Sequence, residues 1–268
     1  MKVEYSDAER RPVNRKRKKK RSKVKRIITA VLSILIVLGV AVGLMLTVFF
    51  NVSSIKVIGS SIYSTEEIIY ASGIMKGDNL LRLPAEKIEA RIVKALPYIK
   101  EAEIIKSFPD TVGVRVEPAD EKILIIGDNV NFVADENFKI LRTASGPIEG
   151  LIRIKGIKTE AFEVGTKINF ADKQQRDVLK DISAICNEKG FNLTYINVEN
   201  LVDISFAIDD TRLVKLGTYS GLSDKMMHLE ATLTRLDPSI SVSISLKEYS
   251  ASKKEAIVKY EDIADFIK

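Results

Sequence analysis

The sequence predicts an α+β protein in which one membrane-spanning helix precedes an external part of mixed strands and helices. Three observations carry this expectation. Residues 27–50 run for twenty-four positions without a charge. Ten of the twelve residues just before them are Lys or Arg. Beyond them, short alternating strands and amphipathic helices follow one another through both halves of the remaining chain.

At about 1.5 Å per residue the apolar run makes a helix roughly 36 Å long, enough to cross a ~30 Å hydrocarbon core with some tilt. Lys and Arg collect on the cytoplasmic side of a span, so residues 1–26 are expected inside and 51–268 outside. The chain reads as single-pass, type II. A cleaved signal peptide has a shorter apolar region and a small-residue exit; here the run leaves through the bulky Thr47-Val48-Phe49-Phe50-Asn51. Within the span, Gly39 and Gly43 form a small-xxx-small pair, the spacing at which a second helix can approach closely.

Charge is unevenly divided. Residues 1–26 carry a net +10 and the whole chain +6, so residues 27–268 sum to −4. The basic tail beside a span suits anionic lipid head groups. Nucleic acid is not the expected partner, because no aromatic residue is interleaved in the cluster for base stacking. The single cysteine, Cys186, rules out an intrachain disulfide and falls in an apolar helical pattern with Val178, Leu179, Ile182 and Ile185.

The external part punctuates clearly at first. Ile55–Ile58 alternates as a strand and stops at Gly59. Ser64-Thr65-Glu66-Glu67 is a capping box opening a helix that Gly73 ends. Pro84 opens a second helix with Ile88, Ile92 and Leu96 on one face and Pro97 as its stop. Two strands follow, Ala102–Ile105 and Val112–Val116, joined through Phe108-Pro109-Asp110-Thr111. The order is β-α-α-β-β.

These residues resemble a POTRA domain of the type found in the FtsQ/DivIB family of bacterial division proteins. The resemblance rests on Gly59, Gly77-Asp78-Asn79-Leu80-Leu81, Leu96-Pro97-Tyr98-Ile99, Ala102, Phe108-Pro109-Asp110-Thr111 and Val116-Glu117-Pro118. Phe108 stands where the family usually has Trp, and the basic residue between Glu117 and the proline is missing. Phe132–Leu141 resembles the family's next hairpin, with its turn glycine replaced around Phe138 and Asn137 expected to take the left-handed conformation.

In the second half Leu151–Ile157, Leu193–Val198, Asp203–Ile208 and Thr211–Leu216 read as strands, with Asp209-Asp210 as a turn. Asp172 caps a helix running towards Gly190. A further helix carries Leu222, Met226, Leu229, Leu233 and Leu236 on one face and ends at Asp237-Pro238. Ser241–Leu246 and Glu255–Tyr260 close the chain as strands around the charged turn Ser252-Lys253-Lys254. This order resembles the family's second domain, a mixed-sheet α/β domain. The expected organisation is a basic tail at 1–26, a span at 27–50, a POTRA-like domain at 51–120, an FtsQ/DivIB-type β domain at 121–262 and a tail at 263–268.

No catalytic, cofactor or metal site is legible. The one histidine, His228, lies beside the apolar stripe of its helix, with neither a ligand set nor a triad around it. Sheet edges are the alternative, since an edge strand offers unpaired amides and carbonyls to an incoming chain. Ala256, Ile257, Val258, Lys259 and Tyr260 form the last strand, with Ala256, Val258 and Tyr260 facing one way. In the FtsQ/DivIB family this C-terminal edge receives the bitopic proteins FtsB or DivIC, with FtsL nearby. The resemblance implies the same here, with Val258 and Tyr260 as anchors. It implies a non-enzymatic divisome scaffold at the septum, coordinating wall-synthesis proteins. The alternatives are a membrane-tethered cell-wall enzyme, which needs a groove around His228, and a POTRA-bearing secretion or transport accessory.

Overall fold

A computed structural model describes residues 12–159, 161–249, 255–264 and 266. The first element among the described residues is helix α1, Pro12–Val48, whose membrane-compatible stretch runs Lys23–Met45. The helix therefore takes in the whole basic cluster and ends two residues short of the expected Phe50. Lys and Arg are good helix formers, and Pro is tolerated in a first turn. At the other end the backbone is drawn away: the Phe50 carbonyl accepts from Leu80 N at 2.8 Å and Asn51 forms an antiparallel bridge with Asn79.

The elements that follow are β1 (Ser54–Ile58), α2 (Thr65–Ser72), α3 (Ala85–Ala95), β2 (Ile99–Ser107) and β3 (Thr111–Pro118). Their strands make a sheet of order β1-β3-β2. The capping box forms as expected. Glu67 N donates to Ser64 Oγ at 3.2 Å, while Ser64 N and Ser64 Oγ each donate to Glu67 Oε2 at 2.8 Å and hold the Glu67 carboxyl below its ordinary range. Gly73 ends α2 with φ 60°. Ile88 and Ile92, one turn apart, are the buried face of α3, each worth about 2 kcal/mol of apolar transfer. Gly59 has φ +111°, and a Cβ there would sit 2.2 Å from the Val116 carbonyl oxygen, so only glycine fits.

The remaining strands are β4 (Ile123–Ile126), β5 (Asn131–Ala134), β6 (Ile140–Ala144), β7 (Ile152–Lys155), β8 (Leu193–Asn197), β9 (Ile204–Ile208), β10 (Arg212–Gly217), β11 (Val242–Ser245) and β12 (Ile257–Tyr260). Helix α4 (Lys173–Glu188) precedes β8, and α5 (Leu222–Leu233) lies between β10 and β11. Among the described residues they form one mixed sheet of order β12-β11-β10-β9-β8-β7-β4-β5-β6. The pairs β4–β7, β7–β8 and β10–β11 are parallel. Asp172 caps α4 through its side chain, which accepts from Gln174 N at 2.9 Å. Val178, Leu179, Ile182 and Cys186 of α4 and Leu222, Met226 and Leu229 of α5 share a core with Ile154, Ile196, Phe206, Val214 and Ile244. The alternate strand residues Tyr195, Ala207 and Leu213 cluster with Ile263 instead. Period-two alternation therefore gives the sheet a helix-covered face and a second face partly covered by the chain terminus.

The described backbone packs as two compact units: the described residues of 1–56, 74–84 and 104–114 in one, and those of 57–73, 85–103 and 115–268 in the other. In the first, Val52, Ile74, Leu80, Ile104, Val112 and Val114 are buried. In the second, a set of polar contacts ties the α3–β2 corner to the β5–β6 hairpin. Lys139 is only 2% exposed, and its Nζ donates to the Val93 and Ile99 carbonyls at 2.7 Å each. Glu121 accepts two bonds from Arg142, at 2.7 and 2.9 Å, and one from the Tyr98 hydroxyl at 2.5 Å. Lys94 pairs with Glu163 at 3.3 Å. Gly165, with φ +86°, leaves no room for a Cβ beside the Lys94 carbonyl.

The hairpin turn corrects one expectation. Phe138, not Asn137, takes the left-handed conformation, with φ 61°. Asp135 Oδ1 accepts from Asn137 N at 2.8 Å and Lys139 N at 2.9 Å, while the buried Phe138 ring meets Phe170 edge-on at 5.2 Å. Packing of the ring and the Asp135 turn offset an intrinsic cost of about 1–2 kcal/mol. The turn Ser252-Lys253-Lys254 lies outside the described residues.

Lys139→Met should destabilise the chain by about 2–4 kcal/mol at pH 7, because two buried carbonyls lose their donor. Burial lowers the Lys139 ammonium from an ordinary 10.5 to about 8. The unfolded chain then holds more protons between about pH 8 and 10.5, so the contribution of Lys139 rises with pH across that window. Thermal unfolding of both forms in detergent should show a wider gap at pH 10 than at pH 7; a narrower gap contradicts a buried, depressed lysine.

Candidate protein-interaction edge

β12 lies at one end of the large sheet among the described residues. It lies antiparallel to β11, with Ser245 opposite Ile257, Ile244 opposite Val258, Ser243 opposite Lys259 and Val242 opposite Tyr260. β11 is in turn held parallel to β10 through the crossover that contains α5. In this register Ala256 and Val258 pack against the helix-covered core. Ile257 and Tyr260 are 49% and 70% exposed, and Lys259 is exposed. Val258 is therefore half-buried in the protein's own core, whereas Tyr260, on the same face and opposite the buried Val242, stays largely exposed.

Residues after β12 fix the strand from behind. Ile263 is buried with Tyr195, Ala207 and Leu213. Glu261 pairs with Lys215 at 3.3 Å, and hydrogen bonds from Ser243 and then Lys215 hold its carboxyl below the ordinary range. The Lys215 ammonium lies 4.9 Å from the Phe266 ring centre, within cation–π reach.

The opposite end of the same sheet is covered. Ile140 N donates to Thr166 O at 2.9 Å, Gly165 N to Ile140 O at 2.8 Å and Ile168 N to Phe138 O at 3.0 Å. Sequence reasoning missed this cover, since residues 163–168 show no strand pattern. It also missed the Lys139 and Glu121 contacts; the available signal was a lysine inside the apolar run Phe138–Leu141.

Among the described residues, His228 and Cys186 are not brought together with a ligand set. His228 is half-buried on α5, its ring 5.2 Å from that of Tyr249. Burial pushes the Cys186 thiol up to about 12, away from nucleophilic use. No group of three His, Cys, Asp or Glu suited to a metal occurs among the described residues. A cleft of about 410 Å³ is lined by Ile148, Leu151, Arg153, Asn192, Thr194 and Asp210, among others, and excludes His228. On α1, a Cβ added at Gly39 or Gly43 would meet nothing within 4 Å.

Residues 50–117 match the family described as POTRA domain, FtsQ-type. The chain is 26% identical over 182 residues to the cell division protein DivIB of Clostridium acetobutylicum, covering 66% of this chain and 71% of that protein. It is 25% identical over 182 residues to DivIB of Clostridium tetani, covering 66% and 68%. It is 22% identical over 220 residues to the cell division protein FtsQ of Corynebacterium glutamicum, covering 79% and 92%. With its N-terminal apolar helix, its FtsQ-type POTRA match over residues 50–117 and its mixed sheet, the chain is similar to cell-division proteins of the FtsQ and DivIB type.

Proposed function

We propose that the protein is a non-enzymatic, single-pass scaffold of the divisome that docks small bitopic partners along β12. The N-terminus lies in the cytoplasm, with its basic tail on anionic lipid, and the rest lies outside at the septum. A POTRA-like domain at 51–120 is followed by a β domain at 121–262. The partners are FtsL-like and DivIC/FtsB-like proteins, and through them the scaffold coordinates septal wall synthesis. Gly39 and Gly43 offer the span a close-packing face for a partner's helix.

One observation carries the docking reading: β12 ends the nine-stranded sheet with Ile257, Lys259 and Tyr260 exposed, while the other end is hydrogen-bonded to residues 165–168. An incoming strand would gain main-chain hydrogen bonds along β12, and its side chains would meet the Tyr260 ring. Val258 serves differently. It anchors β12 to the core, so the edge stays straight enough to template a partner.

Affinity capture from cross-linked membranes tests this. The intact form should recover FtsL- and DivIC-like proteins, and Tyr260→Ala should reduce recovery about tenfold, a hot-spot aromatic being worth more than 1 kcal/mol. Val258→Pro should abolish recovery while leaving the POTRA portion folded. Equal recovery by all three forms would sink the β12 assignment and keep the scaffold role.

A further inference from the structure

Phe49 to Ser53 leave the end of α1 and are tied at once into two loops of the same compact unit. Besides the Leu80–Phe50 bond and the Asn51–Asn79 bridge, Val52 N donates to Asp78 O, Gly77 N to Val52 O and Ser53 N to Asp110 O, each at 2.8 Å. The Phe108 ring meets Phe50 edge-on at 5.6 Å, and Phe50 meets Phe49 at 5.9 Å. An extended residue advances at most about 3.6 Å, so Phe50 is within about 7 Å of the last helical residue, Val48. The head-group layer is itself about 5–8 Å deep. If α1 spans a membrane, loops 75–82 and 107–111 are held at that layer by main-chain hydrogen bonds.

What these loops present to solvent matches a lipid interface. Phe49 and Phe108 are each 58% exposed, Met75 is 68% exposed and Leu81 43%. The nearby cations Lys76 and Arg82 are exposed, whereas the two carboxylates are engaged inside the loops. Asp78 Oδ2 accepts from Met75 N at 2.9 Å. Asp110 accepts from Ser53 Oγ at 2.5 Å and Thr111 Oγ1 at 3.1 Å, which lowers its pKa. The outward face is therefore apolar with a cationic rim, the composition of an interfacial anchor.

We propose that loop 75–82 and turn 107–111 dock on the leaflet at which α1 ends, Phe49, Met75, Leu81 and Phe108 entering the head-group and acyl boundary while Lys76 and Arg82 contact phosphate oxygens. The first folded unit then sits on the bilayer rather than on a free stalk. This rests on the reading of α1 as a membrane span.

The test uses the full chain in nanodiscs of mixed phosphatidylcholine and phosphatidylglycerol, with nitroxide labels introduced singly at Met75→Cys, Phe108→Cys, Val37→Cys within the span and Val202→Cys as an exposed control. The native Cys186 is 1% exposed and stays unlabelled. The expected result is that labels at 75 and 108, like that at 37, relax with lipid-soluble oxygen and are shielded from an aqueous nickel chelate, while the label at 202 shows the reverse. Labels at 75 and 108 as open to the chelate as 202, with 37 shielded, would overturn the docking and leave the span intact. A label at 37 open to the chelate would overturn both.

Discussion

An open sheet has two ends, and each leaves a row of backbone N–H and C=O groups to be satisfied. Most of the second half of this chain can be read as the answer to that constraint. Helices α4 and α5 cover one face with Val178, Ile182, Met226 and Leu229, and Ile263 returns to the other. The β6 end is met by Thr166, Gly165 and Ile168. At β12 the described chain adds no further strand, and the side chains there do not block one. β12 carries a single charge, Lys259, in four residues. β2, at the end of the small sheet, carries Lys100, Glu101, Glu103 and Lys106 in nine, a pattern that discourages pairing.

The polar corner around Lys139 ties α3 and β2 to the β5–β6 hairpin within the larger unit. A buried ammonium is costly, so it is poor support for stability alone. Its two carbonyl acceptors, Val93 and Ile99, lie on either side of the Pro97 turn, so Lys139 links α3, β2 and the β5–β6 hairpin. The Glu121–Arg142–Tyr98 cluster adds a second fixed point. Its carboxylate is held low by Arg142 first and then by Tyr98, so that contribution is complete above about pH 4.5 and fades as pH falls through the lowered value. Being partly exposed, it is a modest one.

The elements legible in the sequence were those with a local physical signature. The capping box at Ser64 and Glu67, the Asp172 cap and the apolar stripe of α5 each depend on residues within one or two turns. β4 was not legible: Ile123–Ile126 is buried almost throughout, so it has no alternation to read. The extent of β2 was obscured because Lys100 and Glu101 are both exposed between the buried Ile99 and Ala102. The left-handed Phe138 needed Phe170 to be known, and the cover on β6 needed a contact across more than twenty residues. At the candidate edge, alternation put Ala256, Val258 and Tyr260 on one face. Which side of that face was the core depended on pairing Val258 with Ile244, a long-range fact. The two residues therefore separate into one packed inward and one exposed.

The most direct measurement is amide hydrogen exchange along 255–264 with and without the extracytoplasmic segment of a DivIC-like partner. Strand addition predicts that alternate amides of Ile257–Tyr260, those directed away from β11, gain protection on binding while those paired to β11 change little. Protection appearing elsewhere with β12 unchanged would contradict the account and move the partner to a different surface.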